Sequence, residues 1–196
     1  MTPDRLEAQL RFILELDKLK SVYRRTILLD RSRNENSAEH SWHIALMAAL
    51  LAEHAGEKVN VLKTMKMLLV HDIVEIDAGD TYCYDASANV DKATREQRAA
   101  ERTFGLLPED QRDELAALWE EFEAGTSAEA RFAHAMDRLQ PLLNNFHTGG
   151  ESWQKHGVTS AQVSQRAAAI AEASPALGGF AQKLLHDAVE RGYLAK

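Results

Sequence analysis

The chain contains little of several features that would point to particular protein classes. Its 196 residues include one cysteine, and aromatic residues make up 7% of the total. A single cysteine, Cys83, excludes an internal disulfide and a zinc site built from several cysteines. Apolar runs stop short of the roughly 18 residues that suggest a membrane span, and the N-terminal segment does not resemble a signal peptide. We therefore expect a cytoplasmic protein without a membrane partner.

The charge balance argues against a further class of partner. The formal net charge is −7, whereas nucleic acid polymers attract proteins with a basic surface. We expect no nucleic acid polymer as a partner. The composition, 45% hydrophobic and 27% charged, is that of an ordinary globular protein. No repeat or low-complexity linker divides the sequence, so we predict one compact domain over residues 1–196.

The spacing of apolar residues predicts an all-α fold. Apolar side chains recur at intervals of three and four residues, and no segment alternates as a strand does. A first helix should continue toward Tyr23 and Arg25, and the polar residues 30–35 should form a loop. Its predicted buried stripe consists of Leu6, Leu10, Ile13, Leu14 and Leu16. Further helices are predicted at about residues 92–104 and from Pro108 to Gly125.

Capping signals place two helical regions that carry histidine and aspartate. Asn36 and Glu39 form a capping-box pattern at the start of a region covering about residues 36–80, within which Asn60 can cap a second helix. Thr126 can cap the other region, at about residues 127–140, and Pro141 should kink or end it. The C-terminal helices, at about residues 160–191, are rich in alanine, and we expect them to serve packing and self-association.

The dipeptide His71-Asp72 is the strongest chemical signal. It lies in an apolar helical segment, where a polar or charged group is costly unless it is paired or bound to a metal. Glu75 follows within one turn. With His40 and Asp137 from two other helices, the set would comprise two imidazoles and two carboxylates. Such a set suits a divalent ion and leaves positions for water and a substrate.

Three stretches of the sequence together resemble the HD-domain phosphohydrolases. They are RNENSAEHS at residues 33–41, HDIVEIDAGD at residues 71–80 and DRLQP at residues 137–141. The flanking residues are similar to the 5′-deoxynucleotidase branch of that family. The resemblance covers most of the chain and implies a compact helical bundle. It also implies removal of the 5′-phosphate from (deoxy)nucleoside monophosphates.

The resemblance implies a role for each matching residue. The proposed ligands of one divalent ion (Mn, Co, Mg, Zn, Fe or Ni) are His40, His71, Asp72 and Asp137. Glu75 and Asp80 would serve catalysis, and Arg25 would contact the substrate, with Arg31 and Arg33 as further candidates. Thr26 departs from the tryptophan expected after that arginine, so the preference between deoxyribose and ribose stays open. Because related hydrolases are commonly dimers, we expect a homodimer.

Other functions are compatible with the same motifs. The chain could hydrolyse another phosphoester, such as a cyclic nucleotide or an alarmone, or it could be a di-iron oxygenase. It could also be a non-catalytic module that binds a metal or a nucleotide. Between Asp72 and Asp137 the only histidine is His134, which favours one metal ion over two. His134 and His43 each lie one turn from a proposed ligand and could support it or add to it.

Overall fold

The computed structural model describes residues 4–85 and 90–196, and in these residues it confirms the predicted all-α class. The helices are α1 (Arg5–Leu16), α2 (Ser37–Leu51), α3 (Val61–Val70), α4 (Glu75–Ala78), α5 (Lys92–Phe104), α6 (Glu109–Ala124), α7 (Ala128–His147), α8 (Glu151–Lys155), α9 (Ser160–Ala173) and α10 (Pro175–Glu190). None of the described helices is both long and apolar enough to cross a bilayer.

A small hairpin replaces the predicted end of the first helix. That helix stops at Leu16, a 3₁₀ turn covers Asp17–Ser21, and β1 (Tyr23–Ile27) pairs antiparallel with β2 (Asn34–Asn36). The predicted continuation toward Tyr23 is therefore wrong. The predicted loop is confirmed for residues 30–33, but residues 34 and 35 belong to β2. β1 contains β-branched and aromatic residues, which favour strands, and pairing with β2 supplies its backbone partners.

The predicted buried stripe of α1 is also wrong. Leu10 is 51% exposed and Leu14 is 74% exposed, whereas Ala8 and Phe12 are buried. Phe12 belongs to an apolar cluster with Val70, Phe104 and Trp119, among others. The helix therefore buries the face that carries the aromatic ring and leaves its leucine-rich face outside.

Two apolar clusters form the interior of the described residues. The larger joins α2, α3, α7, α9 and α10, with Ile44, Met67, Phe132, Met136 and Ile170 almost fully enclosed. The smaller cluster lies between α1, α5 and α6 beside the end of α3. The segment with His71 and Asp72 runs between these clusters, so its polar groups are enclosed from several sides.

The ends of α2 and α3 set the position of the polar residues. The predicted capping box is confirmed: Asn36 Oδ1 accepts a hydrogen bond of 3.0 Å from Glu39 N, and Glu39 accepts one of 2.8 Å in return. Asn60 caps α3 as predicted. However, α3 ends at Val70, and tighter turns follow, so His71 and Asp72 lie just past the helix rather than within it.

Helix α7 differs from its prediction at both ends. Its N-cap is Ser127, which accepts a hydrogen bond from Ala130 N, and not Thr126. The helix also continues past Pro141 to His147. Because proline has no N–H, the carbonyl of Asp137 loses its usual helical partner. The packing of α2, α3 and α9 against α7 holds the helix together despite that loss.

The C-terminal helices are confirmed close to their predicted limits. Thr159 and Gln162 form a second capping box for α9, and Ser174 caps α10, where Pro175 takes the first position. Helix α9 packs against both α7 and α10. That packing brings Arg166 of α9 beside Asp137 of α7.

Candidate metal centre

Four side chains from separate parts of the chain meet at one point. One ligand atom each from His40, His71 and Asp72 lie within 4.8 Å of one another. Asp137 Oδ1 lies 3.1 Å from His40 Nε2 and 4.0 Å from His71 Nε2. These residues come from the first turn of α2, the turns directly after α3 and the middle of α7. The structure thus brings together the four residues that the sequence predicted as ligands.

Hydrogen bonds orient both imidazole rings toward this point. His71 Nδ1 donates to the carbonyl oxygen of Leu68 at 2.8 Å, and His40 Nδ1 donates to Gln140 Oε1 at 3.1 Å. Gln140 in turn donates to Glu35 at 2.6 Å. Since both Nδ1 atoms carry the proton, both Nε2 atoms are free to act as ligands.

One buried atom supports a metal at this point. Nε2 of His71 is buried and makes no hydrogen bond, although it lies 3.0 Å from Asp72 Oδ1. A buried polar atom without a hydrogen bond is costly, and coordination to a cation would satisfy it. The donor set of two imidazoles and two carboxylates matches that use.

A largely buried arginine, Arg24, lies among the carboxylates of the centre, although this role was not predicted from the sequence. Its guanidinium lies 3.0 Å from Asp72, 3.6 Å from Glu35, 3.9 Å from Asp137 and 4.0 Å from Asp80. Burial opposes the charge of Arg24, but nearby carboxylates, Asp72 first among them, outweigh burial and raise its pKa. Several carboxylates around one arginine leave the centre negative, which favours a further cation.

The charges within the centre shift one another strongly. Burial disfavours the charge of His71, but Asp72 outweighs it and raises the pKa of His71 to about 9. Burial acts against the charge of Asp72 as well, yet His71 and Arg24 lower its pKa to about 2. His40 likewise overcomes burial and lowers the pKa of Asp137 well below its usual value. Metal-free, the centre is a set of buried ion pairs.

Glu75 has different surroundings from the proposed ligands. It is buried, and its carboxyl oxygen accepts a hydrogen bond of 2.6 Å from Ser37 Oγ. Burial, followed by the nearby charge of Asp72, raises the pKa of Glu75 to about 8. Burial also raises the pKa of Asp80. Both carboxyl groups therefore hold a proton more readily than ordinary acids do.

A cavity of about 280 Å³ opens from the centre, large enough for a small ligand. Glu75, Asp80 and Thr26 line it, as do Tyr82 and Trp153. Arg138 and Arg166 form part of its wall on the side of α7 and α9. A lining that combines charged groups and aromatic rings matches a ligand with a charged end and a ring system.

The arginines predicted from sequence lie in different places. Arg25 is exposed and lines the cavity, so it stands at the rim rather than in the centre. Arg33 pairs with Glu39 at 2.6 Å on the surface, and neither Arg31 nor Arg33 lines the cavity. His134 packs edge-on against Phe122, 4.4 Å between ring centres, rather than joining the ligands.

Arg24, Glu35 and Gln140 were not predicted as part of the site. Glu35 and Gln140 lie within stretches that contain a predicted ligand, and Arg24 is next to the predicted substrate contact, Arg25. Their roles depend on the hairpin, because it turns the side chains of Arg24 and Glu35 toward α7. No helical spacing rule could reveal that arrangement.

This combination of a helical bundle and a buried histidine–carboxylate centre is typical of metal-binding helical hydrolases. The HD-domain family model matches residues 16–178. The chain therefore belongs to the HD-domain family.

Individual relatives point in the same direction. A human protein named 5′-deoxynucleotidase HDDC2 is 33% identical over 135 residues, which cover 68% of this chain and 65% of that protein. An Enterobacter protein named a 5′-deoxynucleotidase is 31% identical over 125 residues, covering 59% of this chain and 62% of that protein. The chain thus matches slightly less than two thirds of the length of each of these curated relatives.

Solved structures match over more of the chain. A crystal structure described as a predicted metal-dependent phosphohydrolase from Magnetospirillum magnetotacticum MS-1 has a TM-score of 0.93 and 56% identity. The match covers 98% of this chain and 99% of that one. A Pyrococcus furiosus protein with 20% identity and a TM-score of 0.63 shares the fold.

Proposed function

We propose that this protein is a metal-dependent phosphohydrolase that removes the 5′-phosphate from (deoxy)nucleoside monophosphates. The observation that carries the proposal is the convergence of two histidines and two aspartates beside a cavity that contains a separate, proton-holding carboxyl group, Glu75. The names of the curated relatives supply the substrate class.

His40, His71, Asp72 and Asp137 would hold one divalent ion, whose identity stays open. When bound, such an ion supplies positive charge for a phosphoryl oxygen and makes a bound water more acidic. Arg24 would maintain the geometry of the carboxylates, since it contacts two of the proposed ligands. Glu35 and Gln140 would keep the His40 ring in place.

Glu75 is the proposed general base. Its raised pKa lies close to neutral pH, where a carboxylate can accept a proton from an attacking water most effectively. The hydroxyl of Ser37 fixes one of its oxygens. Asp80, which also lines the cavity and has a raised pKa, would position the water or give a proton to the leaving 5′-oxygen.

Arg25 is the proposed contact at the rim of the cavity, on the side of the substrate. Next to it, Thr26 is buried and also lines the cavity, in the position where related enzymes carry tryptophan. A threonine fills less space near the sugar and offers a hydroxyl group. We therefore expect weaker discrimination between deoxyribose and ribose than a large aromatic residue would give.

The test is phosphate release from a panel of nucleotides, with Mn²⁺, Co²⁺, Mg²⁺ and Zn²⁺ added separately. Release from 5′-monophosphates, and none from 3′-monophosphates, is the expected result. Glu75→Gln should reduce turnover by roughly a hundredfold or more, as expected for a general base, while keeping the bound metal. Glu120→Gln, on the exposed side of α6, is the matched control and should keep full activity.

Two results would favour the alternatives. Hydrolysis of a cyclic nucleotide or an alarmone, without release from monophosphates, would assign a different phosphoester. Metal and nucleotide binding without any hydrolysis would indicate a non-catalytic module. The intact pair of Glu75 and Asp80 in the cavity favours an enzyme over such a module.

We also propose a homodimer and a cytoplasmic location. Helix α2 exposes Trp42, Leu46 and Leu50 at intervals of four residues, and large apolar side chains in one stripe are typical of interfaces. A second copy can present the same stripe in return. Free Cys83 is compatible with a reducing compartment.

Leu46→Glu tests this dimer by molar mass in solution. The variant should be monomeric if α2 forms the interface. Phe180→Glu on α10, where the side chain is 50% exposed, tests the C-terminal helices expected from the sequence. A monomer produced only by the second variant would assign the interface to those helices.

A further inference from the structure

Two arginines on one wall of the cavity have little compensation for their positive charge. Arg138 directly follows the proposed ligand Asp137 on α7, and Arg166 on α9 faces Asp137. Arg138 Nε is buried without a hydrogen-bond partner. The contact of Arg166 with Asp137 Oδ2 is long, at 3.7 Å, and its side chain is 37% exposed. Two neighbouring guanidinium groups repel each other unless an anion lies between or beside them.

The other cations of the cavity are already committed or lie farther out. Arg24 contacts the carboxylates of the centre, and Lys92 pairs with Glu96 at 2.8 Å. Arg25 is at the exposed rim. Arg138 and Arg166 are thus the cations best placed to bind a further negative group within the described part of the cavity.

The two walls of the cavity carry opposite charge. Glu96 and Glu123 line the side of α5 and α6, whereas the arginine pair lines the side of α7 and α9. An anionic group would be repelled from the first wall and attracted to the second. The arginine wall adjoins the centre, because Arg166 approaches the oxygen of Asp137 that does not face His40.

We propose that Arg138 and Arg166 together hold the phosphate group that is hydrolysed, on the side of Asp137 opposite His40. This inference rests on the proposed function and assigns the phosphate-binding role to one residue of the DRLQP motif, Arg138, and to Arg166, which lies outside the sequence motifs. Arginine suits it because its planar fork can donate two hydrogen bonds to one phosphate. A phosphate held in this way would lie beside the proposed metal ligand Asp137, in the cavity that Glu75 also lines.

The carboxylates near Arg138 and Arg166 do not take the place of the proposed phosphate. Asp137 and Glu172 both favour the charged form of Arg138, but no described residue forms an ion pair with its guanidinium. Asp137 shares its charge with His40, His71 and Arg24. An added dianion would compensate the two arginines more completely than these carboxylates do.

The test is calorimetric titration of inorganic phosphate into the Co²⁺-loaded protein, which needs no turnover. Arg166→Met and Arg138→Met should each weaken phosphate binding about tenfold or more, because each removes charge-assisted hydrogen bonds. Arg166→Lys should restore only part of the affinity. Arg112→Met, at an exposed arginine of α6 that pairs with its neighbour Asp113, is the matched control and should bind as the wild type does.

Further measurements separate the possible outcomes. The circular dichroism spectrum and the amount of bound cobalt should be unchanged in Arg166→Met, since the side chain of Arg166 is partly exposed. If Arg138→Met does not fold, Arg138→Lys is measured instead. Wild-type protein that does not bind phosphate, or variants that bind it equally well, would overturn the inference. A second result would also overturn it: arginine variants that bind inorganic phosphate normally but, in the Glu75→Gln background, bind a nucleoside 3′,5′-bisphosphate more weakly. Arg138 and Arg166 would then hold a second phosphate and not the one that is hydrolysed. Absence of nucleotide hydrolysis with normal, arginine-dependent phosphate binding would overturn only the proposed function.

Discussion

The centre of this protein buries polar side chains, whereas the outer faces of α1 and α2 expose apolar ones. Both regions are the opposite of what a globular protein usually shows. His40, Glu35 and Gln140 are almost fully buried, whereas Leu14 and Leu50 are about two thirds or more exposed, at 74% and 68%. Buried charge is costly unless other charges or ligands compensate it. A large exposed apolar surface indicates a partner. This contrast supports two proposals: the buried charges of the centre would bind ions, and the exposed apolar face of α2 would bind a second copy of the chain.

The largest expected effect in this comparison comes from removing the buried cation. Arg24→Met should lower the free energy of unfolding of the metal-free protein by about 3–5 kcal/mol, because it leaves buried carboxylates without their partner. Urea unfolding measures the change. Added Co²⁺ should recover part of the loss by supplying charge to the same carboxylates.

The surface offers a matched control for that prediction. Arg5 makes a two-fold contact with Asp110, both distances being 2.7 Å, but the pair is exposed. Arg5→Met should cause no measurable loss, because water solvates both groups after the change. Equal losses for Arg5→Met and Arg24→Met would contradict the distinction between the two regions.

The next effect is the pH dependence of the metal-free protein. His71 has a pKa raised to about 9, so the stability it contributes is complete below its unfolded value, 6.5, and is lost as the pH rises toward 9. Glu75 has a pKa raised from 4.5 to about 8, and so its contribution also falls as the pH rises through that interval. The free energy of unfolding should therefore decrease from about pH 6.5 to 8, where both groups act.

Glu75→Gln separates the two contributions to this pH dependence. The variant keeps a polar group beside Ser37, but its side chain cannot lose a proton. The decrease in the free energy of unfolding between pH 4.5 and 6.5 should therefore become shallower. Chemical unfolding in the presence of a chelator measures the profile. A wild-type profile that rises between pH 6.5 and 8 would contradict the assigned pKa directions.

A smaller effect is expected at the start of α2. Asn36→Ala removes the side chain that caps this helix and should cost about 1 kcal/mol. Because Glu39 N would then lack its partner in the turn before His40, metal affinity should fall as well. Asn36→Ser should restore most of the stability, since serine caps nearly as well. Loss of affinity in the serine variant would show that Asn36 acts other than as a cap.

The smallest effect is expected on the outer face of α1. Leu14→Ser should change stability by no more than about 0.5 kcal/mol, because the side chain is already exposed to water. Phe12→Ala, two residues away on the buried face, should cost about 3–5 kcal/mol. Thermal unfolding of the two variants tests which face is buried. A larger loss for Leu14→Ser than for Phe12→Ala would restore the orientation first expected from the sequence.

The helical class and the residues that meet at the centre could be predicted from the sequence, because helix caps and the His-Asp pair are local signals. The pair of Asn36 and Glu39 marks the start of α2, and Asn60 marks the start of α3; each signal spans no more than four residues. The same local reasoning predicted the wrong buried face for α1. Its leucines form an apparent apolar face, but tertiary packing buries the face with Phe12. Amphipathic spacing shows that a helix has a face, but not which partner covers it.

The centre was predictable only in part for a similar reason. The four proposed ligands belong to recognisable motifs, whereas Arg24, Glu35 and Arg166 enter the site through contacts between segments distant in sequence. The separation between Arg24 and Asp72 is 48 residues. Pairings of that range depend on the hairpin and on the packing of α9 against α7, for which the sequence contains no local signal.

The amount of metal bound per chain after equilibrium dialysis against Co²⁺ tests whether the four proposed ligands hold an ion. We expect one ion in the wild type and in Glu75→Gln, and strongly reduced binding in His40→Ala, His71→Ala and Asp137→Ala. Full occupancy in any of the three alanine variants, or loss of the ion in Glu75→Gln, would contradict the assignment of these residues.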